Sequence, residues 1–293
     1  MVSNTIFTDN NDMKNEERRG GVRGNARANM RGKGFYIYGR NAVLEALQAA
    51  PDKIAEIFFI QEKGEVLAGV EEIASAARAA EVRMTSIETK RAQRLVRHLE
   101  NLRHTQGVLA FYTGFEYCSI AEFTDRQAEN PESCVLVLDG VEDVGNFGAI
   151  VRSAVACGID GIFVSDFHQA PVSGAVFKTS AGAINKIDII QFSGMGQVME
   201  SLKANDYWTY GIDMEETDPE IANPYPAGNI WQQKFDARTA IIVGNEGKGI
   251  SAKAKEKCDF LAPIPMENGV ESLNVSVAAA IAMYEWKRQK AKK

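Results

Sequence analysis

Val135-Leu-Val-Leu-Asp139-Gly-Val-Glu-Asp-Val-Gly-Asn146-Phe-Gly-Ala-Ile-Val-Arg152 joins an apolar run, a polar turn and a second apolar stretch. The run from Val135 is almost uninterrupted, as expected of a strand buried on both faces of a parallel sheet. After the turn, a helix is expected from about Phe147 to Cys157. The alternation then continues: strand 161–164, helix 172–182, strand 187–190, helix 195–203, strand 208–212. After a longer loop come strand 239–243, a short helix from Ser251, strand 259–262 and a helix over 272–288, with Ser272 suited to cap it. Repeated strand and helix units give a parallel α/β sheet as the base reading.

Two further segments are rich in glycine and asparagine. They are Val243-Gly244-Asn245-Glu246-Gly-Lys-Gly249 and Ile264-Pro-Met266-Glu-Asn-Gly-Val-Glu-Ser272-Leu273-Asn274-Val-Ser-Val. Common nucleotide motifs do not fit them. A dinucleotide fingerprint needs Gly-x-Gly-x-x-Gly directly after the first strand, and a phosphate loop needs Gly-Lys-Ser/Thr, whereas Gly247-Lys248 is followed by Gly249. Gly244, Gly247 and Gly249 would permit close backbone approach and positive φ. Ile264, Met266 and Leu273 would supply an apolar wall on which a flat base could lie.

In order and spacing, these three segments resemble the sequence blocks of the SpoU family over roughly residues 132–288. The resemblance implies an RNA ribose 2'-O-methyltransferase using S-adenosylmethionine, with the cofactor loops tied into a C-terminal trefoil knot. Such a knot is an exception to the rule against threaded connections. It also implies that Gly244, Ile264 and Leu273 hold the adenosyl part through backbone groups, beside Asn245 and Met266, and that Asn146, Arg152, Glu246, Ser272 and Asn274 form the catalytic set. A guanidinium stays protonated, so Arg152 suits a phosphate clamp that also polarises the 2'-hydroxyl. Glu246 would fix Asn146 or Arg152. Each has a plainer reading too: a surface ion pair for Arg152, a solvated turn for Glu246, a helix cap for Ser272. Lys178, Thr179 and Ser180 form a further polar group on the cofactor side by the same resemblance.

Upstream, residues 35–114 read as a small α/β layer of about 80 residues. A helix after Tyr38 has Asn41 placed as its cap. Strand 54–60, helix 66–80, strand 82–86, helix 90–100 and strand 107–112 follow. Tyr38-Gly39-x3-Val43-x3-Leu47 and His104-x-Gln-Gly107-Val108-x-Ala110 resemble the ends of the substrate-binding domain that many SpoU enzymes carry. That domain is similar to a small RNA-binding ribosomal protein, and its presence points to the 23S rRNA guanosine branch. No basic aromatic stripe is evident in these residues, which leaves a spacer or dimerisation domain open. Residues 115–131 read as a linker or short covering segment.

The chain has 293 residues, 45% hydrophobic, with a formal net charge of −6. This suits a globular protein of about two domains rather than a basic nucleic-acid coat. Residues 1–34 differ: from Arg18 to Lys33 there are six cations (Arg18, Arg19, Arg23, Arg27, Arg31 and Lys33), four glycines and no acid. They read as a flexible basic arm, either an inert tail or a phosphate-seeking segment. Cys118, Cys134, Cys157 and Cys258 lie far apart, as reduced buried fillers, and the three histidines have no ligand spacing, so no metal is expected. No apolar run approaches the ~20 residues of a membrane helix, and a cytoplasmic protein is expected. The last helix, dense in small residues, suits the homodimer interface that the family places there. The readings left beside 23S rRNA methylation are tRNA ribose methylation, an inactive RNA-binding or assembly protein, and a ligand-binding α/β protein unrelated to RNA.

Overall fold

The computed structural model describes residues 34–213, 228–245 and 247–291. The basic arm, except Gly34, and Glu246 therefore lie outside the described residues. The chain divides into two compact units, Met1–Phe115 and Glu116–Lys293.

The first unit runs β1 (Phe35–Tyr38), α1 (Arg40–Ala49), β2 (Ile54–Glu62), β3 (Glu65–Val66), α2 (Glu71–Ala79), β4 (Met84–Glu88), α3 (Thr89–Leu95) and β5 (Val108–Tyr112). Its sheet has the order β1-β5-β2-β3, with β4 paired to β2 in parallel. Ile37, Ala110 and Ile57 are fully buried and lie side by side across the neighbouring strands β1, β5 and β2. Two expectations are corrected here. Gly39, with φ 91°, is the N-cap of α1, while Asn41 lies inside the helix. The stretch expected as one helix from Val66 begins instead as the hairpin strand β3, and Gly69 at φ +85° turns the chain before α2 starts. A left-handed backbone cannot continue a right-handed helix.

The second unit runs α4 (Ile120–Gln127), β6 (Ser133–Asp139), α5 (Val144–Cys157), β7 (Gly161–Ser165), α6 (Gly174–Thr179), β8 (Asp188–Phe192), α7 (Met195–Ala204), β9 (Trp208–Ile212), β10 (Arg238–Gly244), α8 (Ala252–Lys257), β11 (Phe260–Leu261) and α9 (Val275–Lys290). Its six strands are ordered β11-β9-β10-β6-β7-β8, and each pairing is parallel. Val135, Leu136, Val137 and Leu138 are fully buried, as a central strand covered on both faces requires.

Residues 115–131 hold more than a connection. Ser119 and Glu122 form a reciprocal capping box that starts α4, and Phe123 of that helix meets Phe163 edge-on at 5.3 Å in the core. Burying such a ring contributes about 2–3 kcal/mol. Arg238 adds a tie by donating to the backbone oxygens of Gln127 and Asn205, both at 2.9 Å. Among the cysteines, Cys134 and Cys157 are buried, whereas Cys118 and Cys258 are only half-buried. Among the described residues no helix is long and apolar enough to cross a membrane, and no cluster of His, Cys, Asp or Glu could hold a metal ion.

Candidate active site

The carboxyl ends of β9 and β10 open into a cavity of about 430 Å³. That is the end of a parallel sheet where α/β proteins place ligands, and the size suits a nucleotide-like molecule. Gly244, Asn245, Ile264, Met266, Ser272 and Leu273 all line it, so six of the residues singled out in the sequence come together. Ile264 is 6% exposed and anchors the apolar wall.

The glycine loop folds back on itself. Asn245 and Gly249 exchange two backbone hydrogen bonds, each 2.9 Å. A Cβ on Gly244 would stand 2.0 Å from the carbonyl carbon of Gly249, so no side chain fits there. Gly249 needs its freedom for another reason, a φ of +65°. Gly247 needs neither: a Cβ there would have its nearest neighbour, Asn245 Oδ1, at 3.7 Å. Asn245 locks the loop to the sheet by donating from Nδ2 to the Gly140 oxygen at 2.9 Å, while its Oδ1 accepts the Gly247 N–H at 2.9 Å.

Asp213 and Lys255 were not singled out in the sequence, yet both line the cavity. The Asp213 carboxylate accepts the Ile250 N–H at 2.7 Å and pairs with Lys255 at 3.0 Å. Its side chain is 13% exposed, so the bond to Ile250 holds the far end of the glycine loop from a sheltered position. Asp213 closes an apolar strand at its carboxyl end, a usable clue; Lys255 carries none. Beside it, burial pushes the Cys258 thiol up to about 12, with the Asp259 charge adding to the effect, so this cysteine is no nucleophile near neutral pH.

Asn146 and Asn274 meet outside the cavity lining. The helix expected from Phe147 starts three residues earlier, because Asp143 accepts the Asn146 N–H at 2.7 Å and caps it. Asn146 therefore sits in the first turn of α5. The cap expected at Ser272 falls instead to Asn274, whose Oδ1 accepts the Ser276 N–H at 2.9 Å. Ser272 stays in the exposed loop. Asn274 Nδ2 donates to Asn146 Oδ1 at 3.0 Å, tying the two helix starts together. An N-cap is where asparagine is favoured, so this residue suits its place by helix chemistry alone. Thr179 steadies the same end of α5: its hydroxyl donates to the Val144 oxygen at 3.1 Å, in a gap left open by Gly148. Ser180 is fully buried, and burial lowers the pKa of Lys178.

Arg152 is not brought to this cluster. Six residues along α5 from Asn146 correspond to about 9 Å of rise and about 240° of rotation. The residue is exposed and makes no ion pair with a described residue.

Two solved structures share this architecture. The SpoU methyltransferase AviRb from Streptomyces viridochromogenes, in complex with AdoMet, superposes with a TM-score of 0.69 at 23% identity, covering 88% of this chain and 91% of that one. An AdoMet-bound rRNA methyltransferase from Sinorhizobium meliloti gives 0.65 at 21% identity, covering 87% of each chain. The fold is that of the SpoU class of methyltransferases.

The sequence comparisons go further. The model of the SpoU rRNA methylase family matches residues 133–284, and that of the RNA 2'-O ribose methyltransferase substrate-binding domain matches residues 36–118. A protein of Staphylococcus saprophyticus assigned to the TrmH family of tRNA/rRNA methyltransferases is 38% identical over 183 residues, 61% of this chain and 69% of its own length. One from Staphylococcus aureus is 38% identical over 188 residues, 64% of this chain and 71% of its own. The chain belongs to the SpoU rRNA methylase family and is an RNA methyltransferase of that family.

Proposed function

We propose that this protein transfers the methyl group of S-adenosylmethionine to a ribose 2'-hydroxyl of structured RNA, with a guanosine of 23S rRNA as target. The observation that carries the reading is the cavity where Gly244, Asn245, Ile264, Met266, Ser272 and Leu273 converge beside the Asn146–Asn274 bond. Its apolar wall suits an adenine and its backbone groups suit ribose and amino acid oxygens. The structural neighbours were crystallised with AdoMet. In this reading the loops around the cavity form the trefoil knot.

When bound, S-adenosylmethionine supplies an electrophilic methyl group. The chain's residues then have to orient a weakly nucleophilic hydroxyl and help its proton leave. Asn146 and Asn274 fix the two helix starts beside the reacting groups. Arg152, exposed on α5, holds a phosphate of the bound RNA, and the proton of the hydroxyl passes to a phosphate oxygen or water. Glu246 orients Asn146 or Arg152. The enzyme acts as a cytoplasmic homodimer through the catalytic unit: Val277 and Tyr284 on α9 are 46% and 53% exposed, a surface that a second copy would cover.

The names of the relatives favour one further reading, ribose methylation of tRNA. Mapping ribose methylation in RNA from cells with and without the protein separates the two. Loss of one 23S rRNA site supports the proposal, loss of a tRNA site moves the target, and no lost site overturns both.

A further inference from the structure

The chain is acidic overall, yet Lys90 to His104 carries five Lys or Arg residues against the single acid Glu100. The structure turns this stretch outward. Ala92 and Val96 are buried, while Lys90, Arg91, Arg94, Arg97 and Arg103 are all exposed. Lys90, Arg91 and Arg94 fall within about 100° of arc on α3, opposite Ala92. None of these five cations has an ion pair with a described residue. By contrast, nearby Arg83 is paired with Glu56 at 3.3 Å.

Beside these charges lie aromatic rings. Tyr36, Phe111 and Glu56 are cross-strand partners on β1, β5 and β2, so their side chains share one face of the sheet. Tyr38, two residues from Tyr36 and so on that face, meets His98 just beyond α3 at a ring distance of 6.3 Å. Tyr36 and Phe111 pack edge to face at 5.2 Å and remain half-buried. Burial raises the pKa of the Tyr36 phenol first and Glu56 adds to this, while the charge of Arg91 works against both.

We infer that α3 and the adjoining Tyr36–Phe111 pair form an RNA-docking surface, on which Lys90, Arg91 and Arg94 contact phosphates and Tyr36 receives an unpaired base. This rests on the RNA methyltransferase reading and deepens it by assigning the contact to a surface of the first unit. Unpaired guanidinium groups beside aromatic rings are the chemistry that tracks a single-stranded backbone and stacks its bases. The occupant is RNA rather than an acidic protein because the substrate-binding family model matches these residues.

The test uses the full chain and two variants, Arg91→Gln/Arg94→Gln and, as a control, Lys63→Gln/Arg78→Gln, whose residues are exposed elsewhere on this unit. The probes are bulk rRNA, bulk tRNA and phosphatidylserine vesicles, titrated from about 50 to 200 mM salt. The α3 variant should bind RNA about tenfold more weakly, with a salt slope flatter by about one to two, since each lost phosphate contact removes roughly 0.7–0.9. The control should match the parent. Tyr36→Leu, which keeps the packing apolar, should lose roughly 5- to 150-fold in affinity with the slope unchanged. Equal RNA binding by the parent and the α3 variant overturns the inference and leaves the methyltransferase reading standing. A loss confined to vesicles overturns it in favour of a membrane. A parent that neither binds nor methylates any RNA overturns both.

Discussion

Asn274 caps its own helix and holds another: Oδ1 accepts the Ser276 N–H at 2.9 Å while Nδ2 donates to Asn146 Oδ1 at 3.0 Å. One amide thereby fixes where α9 begins and where that start lies relative to α5. The two tasks can be separated. Serine is as good an N-cap as asparagine but is too short to reach Asn146. Asn274→Ser should keep stability within a few tenths of a kcal/mol and lose most methyl transfer, whereas Asn274→Ala should also lose about 1 kcal/mol. Thermal unfolding and a turnover assay on the same samples check this. Normal turnover in the serine variant would remove the asparagine pair from the mechanism.

Arg152 stands apart from the cavity and from the asparagine pair, exposed on α5. Its proposed task is to hold RNA, so Arg152→Ala should abolish methylation while S-adenosylmethionine affinity stays within a few-fold. Arg152→Lys should recover only part of the activity, because an ammonium cannot grip a phosphate through two parallel bonds. Calorimetry with the cofactor and single-turnover methylation separate the effects. Selective loss of cofactor binding would refute the assignment.

The glycine loop gives a sharper contrast. Gly244→Ala drives a Cβ to 2.0 Å from the Gly249 backbone and 2.3 Å from the Ile250 nitrogen, neither of which can yield cheaply. Overpacking of this kind costs about 1–3 kcal/mol and should distort the cavity enough to remove measurable S-adenosylmethionine binding. Gly247→Ala meets nothing closer than 3.7 Å and should leave binding near normal. Equal behaviour of the two variants, seen by calorimetry, would mean that the loop does not shape the cofactor site.

Strands were easy to read where one physical cause dominates. Val135 to Leu138 is apolar on both faces, and no helix-length pattern competes with it. Helix starts were harder, since Ser272 and Asn274 are both good caps two residues apart. The choice between them falls with a long-range bond to Asn146, invisible to local pattern. The cavity lining was legible because its residues lie in contiguous motifs. Asp213 and Lys255 were not, being 42 residues apart and joined only by the fold. The cationic face of α3 escaped for a related reason: Ala92 and Val96 had to be buried before Lys90, Arg91 and Arg94 could be seen to point one way.

The basic arm supplies the last prediction. Its six cations without an acid between Arg18 and Lys33 should act through sequence-independent electrostatics. The cut belongs after Lys33, because Gly34 already lies against β5, where a Cβ would stand 2.4 Å from the Tyr112 oxygen. Removing residues 1–33 should therefore leave the melting temperature unchanged. It should weaken RNA binding and flatten the salt slope by up to about four, if each cation neutralises one phosphate of a single strand. The methylated nucleotide should stay the same, since phosphate contacts carry no sequence information. Affinity across a salt series, with mapping of the modified position, checks all three. An identical slope would make the arm an inert tail, and a changed target would mean that it reads sequence or shape.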